Sequence, residues 1–232
     1  MQAISEILIT GASGFIGSFL VERALAEGMD VWAAVRPSSS RRYLADPRIH
    51  FIEIDFGSEK KMMQALATHV AAHGAWHYVI HAAGATKCRR EADFFKINTE
   101  GTALFAQALL AAGALTGRFI FISSLSVCGP LCEDSGRPIC AADVPQPNTA
   151  YGRSKLEAEQ RLAQIDGLDY IVLRPTGVYG PREKDYAMMA DSIRRHVDFS
   201  VGFKPQVLTF IYVKDLVAAA FLALTRGTSG KS

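Results

Sequence analysis

Short apolar runs alternate with amphipathic segments along most of the chain. The apolar runs at 7–9, 31–35, 50–54, 78–80, 118–122 and 170–173 are nearly continuous. Such runs are typical of strands that are buried on both faces of a parallel sheet. The intervening segments, among them 59–72, 93–112 and 154–165, indicate helices. Because crossover connections are right-handed, this alternation predicts an α/β fold with a doubly wound parallel sheet.

A glycine-rich turn follows the first apolar run, between a predicted strand and a predicted helix. Its three glycines have the spacing G-x-x-G-x-x-G. In a Rossmann fold these glycines permit a tight turn, a close approach to a pyrophosphate and close helix–strand packing. The helix N-terminus also attracts anions, so the turn predicts a dinucleotide site. This predicted site comprises Gly11, Ser13, Gly14, Phe15, Ile16 and Gly17.

The second predicted strand ends without a carboxylate. An NAD-binding Rossmann fold carries an acidic residue there for the ribose hydroxyls, whereas this chain has Arg36, followed by Arg41 and Arg42. Asp30 lies at the opposite end of the strand. An arginine suits a 2′-phosphate through its charge and its forked hydrogen bonds. The sequence therefore favours NADP(H) as the cofactor, with NAD(H) as the alternative.

Composition and charge narrow the range of partners. The 232 residues carry a net charge of +2, and 49% of them are hydrophobic, without the basic excess of a nucleic-acid binder. No apolar stretch approaches the ~20 residues of a membrane span, and no signal peptide is recognisable. The four cysteines (Cys88, Cys128, Cys132 and Cys140) form no CxxC pair, and we predict no metal site. We expect a cytoplasmic protein without nucleic-acid or membrane partners.

Three polar residues have the spacing of a proton-transfer site. Tyr151 and Lys155 are four apart at the start of a predicted helix, and therefore share one face. A phenol has an ordinary pKa of ~10, which a neighbouring ammonium lowers. Ser124 ends the fifth predicted strand and offers a hydroxyl to a substrate oxygen, with Ser126 as a lesser choice. This set predicts proton transfer by Tyr151 coupled to hydride transfer at a nicotinamide.

In combination, these motifs resemble the extended short-chain dehydrogenases/reductases of the NAD-dependent epimerase/dehydratase family. The resemblance extends from about residue 7 to 224, and Arg36 is similar to its dihydroflavonol-reductase-like and 3β-hydroxysteroid-dehydrogenase-like branches. Further matching motifs are residues 81–84 (HAAG), 98–102 (NTEGT), 122–129 and 173–175. The resemblance implies a catalytic role for Asn98. It implies cofactor contacts from Asp55, Phe56, Ala82, Ala83, Gly84, Lys155, Pro175 and Val178.

The resemblance also has departures that bear on the reaction. Leu125 and Ser126 stand where the sugar dehydratases of the family have an Asp–Glu pair, so dehydration is not expected. Cys128 and Tyr212 replace a usual tyrosine and a usual histidine. We therefore predict an NAD(P)-dependent oxidoreductase that interconverts a small-molecule carbonyl and its alcohol. The alternatives are a nucleotide-sugar epimerase with retained NAD and a non-catalytic dinucleotide sensor.

The organisation of the chain follows from the same resemblance. We divide it into an NAD(P)-binding Rossmann domain, 1–180, and a partial substrate-binding region, 181–232, that returns to the core. Family members have a small C-terminal lobe over the nicotinamide, and we expect a truncated form of it here. The resemblance further implies a homodimer formed by the helices that begin near Asp93 and Tyr151. Leu104, Leu109 and Leu156 suit that interface or the core.

Overall fold

Six parallel strands form the central sheet of this chain, whose computed structural model describes residues 5–131, 136–183, 185–196 and 208–230. The strand order is β3-β2-β1-β4-β5-β6, which confirms the predicted doubly wound Rossmann topology. Every neighbouring pair is parallel, and β1 lies between β2 and β4. The strands are β1 (Glu6–Thr10), β2 (Asp30–Val35), β3 (Ile49–Glu53), β4 (Trp76–His81), β5 (Leu115–Ile122) and β6 (Tyr170–Leu173).

Helices cover both faces of the sheet because the strands present apolar side chains alternately to each. Ile7 and Ile9 of β1 belong to the core cluster under α1 and α7, whereas Leu8 belongs to the cluster under α2, α4 and α5. The predicted helix over 93–112 is interrupted by a π-helical segment. The helices are α1 (Phe15–Ala26), α2 (Glu59–His73), α3 (Glu91–Phe94), the π-helical segment (Phe95–Glu100), α4 (Gly101–Ala111), α5 (Ala150–Leu162), α6 (Asp185–Arg194) and α7 (Val213–Thr225).

The C-terminal part of the chain adds a small second sheet and then returns to the first. β7 (Gly177–Tyr179) pairs in parallel with β8 (Phe210–Tyr212), and α7 packs beside α1. The expected final helix and the helix near 187–196 are present as α7 and α6. The boundary that we predict near residue 180 falls between β7 and α6 and stays a prediction. Cys132 lies outside the described residues, and no described helix is long and apolar enough to cross a membrane.

Candidate active site

Two adjoining cavities of about 930 and 840 Å³ open at the carboxyl ends of the strands. They meet at Gly11, Gly14 and residues 82–84, beside β1 and β4, where the strand order reverses. In doubly wound sheets this crevice is the usual ligand site. We call the larger one the arginine cavity, because Arg36 lines it, and the other the tyrosine cavity, because Tyr151 lines it.

The structure brings every predicted site residue to this cleft. The arginine cavity is lined by Gly11, Ser13, Gly14, Arg36, Asp55, Phe56, Ala82, Ala83 and Gly84. The tyrosine cavity shares several of these and adds Phe15, Ile16, Gly17, Asn98, Ser124, Tyr151, Lys155, Pro175 and Val178. Their positions agree with one elongated ligand, and their individual roles stay predictions.

The glycine turn between the cavities requires glycine for steric reasons. Gly11 has φ +67°, and a Cβ there would lie 2.7 Å from the carbonyl carbon of Ala82. A Cβ on Gly17 would lie 2.1 Å from the carbonyl oxygen of Gly11. The turn thus lets α1 begin directly against β1 and β4.

The N-terminus of α1 is open toward the cleft. The N-cap is Gly14, and no side chain caps this helix. The first N–H groups of a helix have no partner within it and carry the positive end of its dipole. An uncapped N-terminus that lines a cavity fits a pyrophosphate, and Ser13 lines the cavity beside it.

A buried hydrogen-bond chain lies beneath the turn. The Thr10 hydroxyl bonds the His81 Nδ1 at 2.8 Å and accepts from the Ala83 N–H at 3.2 Å. The His81 Nε2 lies 3.1 Å from the Thr102 hydroxyl. Burial, with a smaller contribution from Lys155, lowers the pKa of His81 to about 3, so the imidazole is neutral. These hydrogen bonds fix the ends of β1 and β4 at the centre of the cleft. Sequence analysis missed the roles of Thr10 and Thr102 in them.

The three arginines after β2 have different surroundings. Arg41 lies 4.2 Å above the Phe51 ring, and Arg42 lies 5.4 Å from the Tyr43 ring. The guanidinium of Arg36 has no partner within the described part of the chain, and it lines the cavity together with Ser38 and Ser39. Arg36 is therefore the arginine of this group that is available to a ligand. The two serines were not foreseen, since single serines in a loop carry no distinctive spacing.

Asp55, which also lines the arginine cavity, is held as a carboxylate. It accepts a hydrogen bond from the Gly57 N–H at 3.0 Å and another from the Lys61 ammonium at 3.3 Å. These two interactions, the backbone one first, hold the pKa of Asp55 below its ordinary value. The carboxylate therefore presents a fixed acceptor to the cavity.

In the tyrosine cavity, Ser124 and Tyr151 come from two elements that meet. Ser124 lies two residues after the end of β5 and caps a short 3₁₀ turn, with its hydroxyl accepting from the Ser126 N–H at 3.2 Å. It donates to the Ser126 hydroxyl at 3.1 Å and hydrogen bonds to Tyr151. Tyr151 lies in the first turn of α5, with its ring edge-on to Phe94 at 6.1 Å.

The pKa of Tyr151 does not follow our expectation. We expected the Lys155 ammonium to lower it, but burial raises it above its ordinary value, and the Ser124 hydrogen bond only opposes that rise. The reason is the direction of Lys155: its ammonium donates to the carbonyl of Ile122 at 2.7 Å and lies 4.0 Å from the Phe121 ring centre. The expectation was therefore wrong for this structure.

Lys155 itself is 3% exposed, which is unusual for a lysine. Burial lowers its pKa to about 7, and the nearby Glu159 carboxylate opposes that change. An ammonium whose pKa is near neutrality exchanges its proton readily at physiological pH. The structure thus places a titratable cation one helical turn from Tyr151, in the lining of the tyrosine cavity.

Asn98 lies in the π-helical segment and is fully used in hydrogen bonds. Its amide oxygen accepts from the Ala85 N–H at 2.8 Å. Its amide nitrogen donates to the Ala85 carbonyl and to the Ser154 hydroxyl, both at 3.0 Å. A π-helical turn within a helix often marks a functional site. Here it turns the amide of Asn98 toward the loop after β4 and toward α5, so that Asn98 joins these two walls of the tyrosine cavity.

Tyr186 of α6 and Glu183, which precedes that helix, line the tyrosine cavity and were missed by sequence analysis. The ring of Tyr186 lies edge-on to Phe210 at 5.0 Å, and Glu183 accepts a hydrogen bond from the Tyr186 N–H at 2.6 Å. No motif marks these residues. Within the described residues, no group of three His, Cys, Asp or Glu side chains is arranged to hold a metal ion.

Comparisons with known proteins agree with this geometry. The profile of the NAD dependent epimerase/dehydratase family matches residues 7–232. A UDP-glucose 4-epimerase of Vibrio cholerae is 32% identical over 205 residues, which are 85% of this chain and 59% of that protein. A ceramide reductase of Caulobacter vibrioides is 27% identical over 97% of this chain and 62% of its own length. The chain thus spans less than two thirds of either relative.

A solved structure gives the same result for the fold. The UDP-glucose 4-epimerase of Thermotoga maritima, determined with UDP-glucose, superimposes with a TM-score of 0.78 at 27% identity. The match covers 96% of this chain and 74% of that structure.

Proposed function

This chain belongs to the NAD-dependent epimerase/dehydratase family, and we propose that it is an NAD(P)-dependent oxidoreductase acting on a carbonyl or alcohol carbon. One observation carries the proposal. Ser124, Tyr151 and Lys155 line the same cleft as the uncapped glycine turn of α1. A dinucleotide held at that turn therefore has one end beside a phenol, a hydroxyl and an ammonium. This is the set of groups that a carbonyl reduction requires.

The residues of the cleft fit a dinucleotide along its length. The pyrophosphate would lie on the N–H groups of residues 15–17, with the adenosine in the arginine cavity between Arg36 and Asp55. The bound nicotinamide would supply or accept a hydride in the tyrosine cavity. Pro175 and Val178 would line its ring, and Lys155 would reach its ribose.

The protein's part in the reaction is proton transfer and the orientation of the substrate. Ser124 holds the substrate oxygen through its hydroxyl, and Tyr151 donates a proton to that oxygen in reduction or accepts one in oxidation. Burial raises the pKa of Tyr151, so the phenol is protonated in the absence of a ligand. That state is the one that reduction needs. Lys155 stabilises the phenolate that remains, once a ligand draws its ammonium away from the Ile122 carbonyl.

NADP(H) is the cofactor that we propose, on the surroundings of Arg36. Its guanidinium lines the arginine cavity without a partner among the described residues, whereas Arg41 and Arg42 lie against aromatic rings. A 2′-phosphate would provide the missing partner in a charge-assisted hydrogen bond. NAD(H) remains the alternative, in keeping with the name of the family.

A second candidate function is epimerisation of a nucleotide sugar. The identity of 32% to a UDP-glucose 4-epimerase favours it. The same serine, tyrosine and lysine would serve, because an epimerase oxidises and then reduces one carbon. Dehydration is not proposed, since Leu125 and Ser126 line the cavity where an acid and a base would be needed.

We also propose a homodimer formed through α4 and α5, as the family resemblance implies. Leu104 and Leu156 are partly exposed and available to such an interface. Leu109 is fully buried and belongs to the core beneath α4, so it is not part of the interface. The oligomeric state is measured by light scattering.

The test of this function identifies the bound cofactor and then measures substrate turnover. The purified protein is denatured and any released nucleotide is identified; NADPH or NADH is then supplied with a panel of ketones and aldehydes, and separately UDP-glucose. We expect exchangeable cofactor and consumption of NADPH with a carbonyl compound. Retained NAD with interconversion of the UDP-sugar would establish the epimerase instead. Cofactor binding with no turnover in any assay would indicate a dinucleotide sensor.

A further inference from the structure

A charged pair with a buried carboxylate and a partly buried guanidinium lies behind the tyrosine cavity, outside the lining of either cavity. Glu159 of α5 is 7% exposed, and the guanidinium of Arg174, just after β6, binds both of its carboxylate oxygens. The distance from Arg174 Nη2 to Glu159 Oε2 is 2.6 Å. The Ser123 hydroxyl also donates a hydrogen bond to the Glu159 carboxylate. Three elements, α5, β5 and β6, are therefore joined at one carboxylate.

The position of this carboxylate is tied to the residues of the proposed reaction. Tyr151, Lys155 and Glu159 are spaced by four residues, so they follow one another along the same face of α5. Ser123, which donates to Glu159, immediately precedes Ser124. The carboxylate thus contacts the neighbour of Ser124 and lies one helical turn from Lys155.

The backbone on both sides of Ser124 is fixed by hydrogen bonds to the segment that contains Arg174. The Ser123 N–H donates to the Leu173 carbonyl at 2.7 Å, and the Leu125 N–H donates to the Pro175 carbonyl at 2.8 Å. Arg174 lies between these two acceptors in the chain. Its ion pair with Glu159 therefore holds the segment that accepts from both neighbours of Ser124.

Stability alone does not explain a buried ion pair. Taking two charges out of water costs free energy that their attraction offsets only partly, and well-packed apolar residues often serve equally well. A negative charge near a buried lysine, however, stabilises the charged ammonium and so raises the pKa of the lysine, which an apolar residue cannot do.

We infer that Glu159 is a positioning residue for the proposed oxidoreductase reaction: it fixes the strand end that carries Ser124 and supplies the counter-charge for the buried Lys155 ammonium. This inference rests on the proposed function. Arg174 in turn holds the carboxylate in place. Neither Glu159 nor Arg174 touches the space of the substrate or the cofactor, so their effect passes through Ser123 and Lys155.

The charged and titratable groups around Lys155 are few. Tyr151 and Glu159 lie on its own helix, and His81, which is neutral, lies on β4. Cys128, which follows the 3₁₀ turn after β5, and Arg174, just after β6, lie near Glu159. Burial raises the pKa of the Cys128 thiol, so it is uncharged at neutral pH. Glu159 is the anion of this group, and its removal is expected to lower the pKa of Lys155.

The experiment compares Glu159→Gln with Glu157→Gln. Glu157 lies on the same helix in an exposed pair with Arg161, so its replacement removes the same charge away from the cleft. The pKa of Lys155 is measured by NMR with ¹³C-labelled lysine, assigned with Lys155→Met. The pH dependence of kcat for carbonyl reduction is measured in parallel.

For Glu159→Gln we expect the pKa of Lys155 and the alkaline limb of kcat to move to lower pH by about one unit. We expect no shift for Glu157→Gln. Equal behaviour of the two variants would overturn the inference. If the lysine pKa moves in Glu159→Gln while no variant or wild type reduces any carbonyl, the counter-charge stands and the proposed function fails.

A second variant covers the case in which Glu159→Gln does not fold. Ser123→Ala removes the hydroxyl donor but leaves the Glu159–Arg174 pair. We expect it to lower kcat about tenfold without moving the pKa of Lys155, because the lost hydrogen bond to the carboxylate helps to fix the backbone beside Ser124, whereas the charge of Glu159 is unchanged. An unchanged kcat in Ser123→Ala would overturn the positioning of Ser124.

Discussion

The arginine cavity and the tyrosine cavity are built in different ways, although they meet at the same glycine turn. The arginine cavity is lined mainly by loops that follow β1, β2 and β3. There Asp55 is held by local contacts, whereas the Arg36 guanidinium has no partner among the described residues. In the tyrosine cavity, buried hydrogen bonds to other elements hold Asn98 and Lys155, and Ser124 hydrogen bonds to Tyr151. We therefore expect substitutions in the first to change which cofactor binds, and substitutions in the second to change turnover.

Tyr151→Phe should separate the two cavities most clearly. Loss of the phenol hydroxyl removes the proposed proton donor, so we expect kcat to fall about 10³-fold. The affinity for the cofactor should stay within about twofold, because the adenosine and pyrophosphate contacts lie elsewhere. Steady-state kinetics and a fluorescence titration give the two values. A variant that keeps its kcat would show that Tyr151 is not the acid.

Ser124→Ala should have the next largest effect. It removes a hydroxyl that contacts Tyr151, and we expect kcat to fall about 10²-fold, as for one donor to a developing oxyanion. Ser126→Ala is the matched control, since Ser126 is exposed and bonds to Ser124 rather than to Tyr151. It should lose less than about tenfold. If Ser126→Ala lowered kcat more than Ser124→Ala does, Ser126 rather than Ser124 would be the serine that binds the substrate oxygen.

Gly17→Ala tests the shared turn, and should affect both cavities equally. Its new Cβ would meet the Gly11 carbonyl oxygen at 2.1 Å, so we expect about 1–3 kcal/mol less stability and about tenfold weaker cofactor binding. Urea denaturation and titration measure these. Gly101→Ala is the control, because its Cβ would find an ordinary contact of 3.5 Å at the start of α4. If both variants were equally stable, the steric account of the turn would be wrong.

Replacement of His69, a histidine far from the cleft, should have the smallest effect on either cavity. His69 is buried against Trp32 and Trp76, and burial, with a smaller contribution from His73, lowers its pKa to about 4. The unfolded chain therefore takes up a proton that the native chain does not, and the contribution of His69 to stability is lost as the pH falls from about 6.5 to about 4.

His69→Leu should reduce this acid loss of stability without changing cofactor affinity. Urea denaturation at several pH values, followed by tryptophan fluorescence, measures it. An unchanged pH dependence would show that His69 is not a source of the acid sensitivity.

Local spacing made the arginine cavity predictable from the sequence. The glycine turn lies within seven consecutive residues, and Arg36 lies directly after a strand. One short motif and one position therefore suffice to predict the residues that line this cavity. The alternation of apolar runs and helices likewise led to the correct sheet topology.

The rest depends on contacts between distant parts of the chain. The direction of the Lys155 ammonium, toward the Ile122 carbonyl, depends on how α5 packs on β5. The Glu159–Arg174 pair and the π-helical turn around Asn98 depend on tertiary packing in the same way. Nothing in the spacing of Tyr151 and Lys155 distinguishes a lysine that lowers the phenol pKa from one that bonds elsewhere.

The measurement that tests the central claim most directly is a titration of the protein with NADPH and with NADH, followed by nicotinamide fluorescence. We predict that the wild type binds NADPH at least about tenfold more tightly than NADH, a difference of about 1.4 kcal/mol. Arg36→Glu should abolish that preference, and Arg42→Glu, whose arginine lies against Tyr43, should keep it. Failure of the wild type to bind either nucleotide would contradict the account of the cleft as a dinucleotide site.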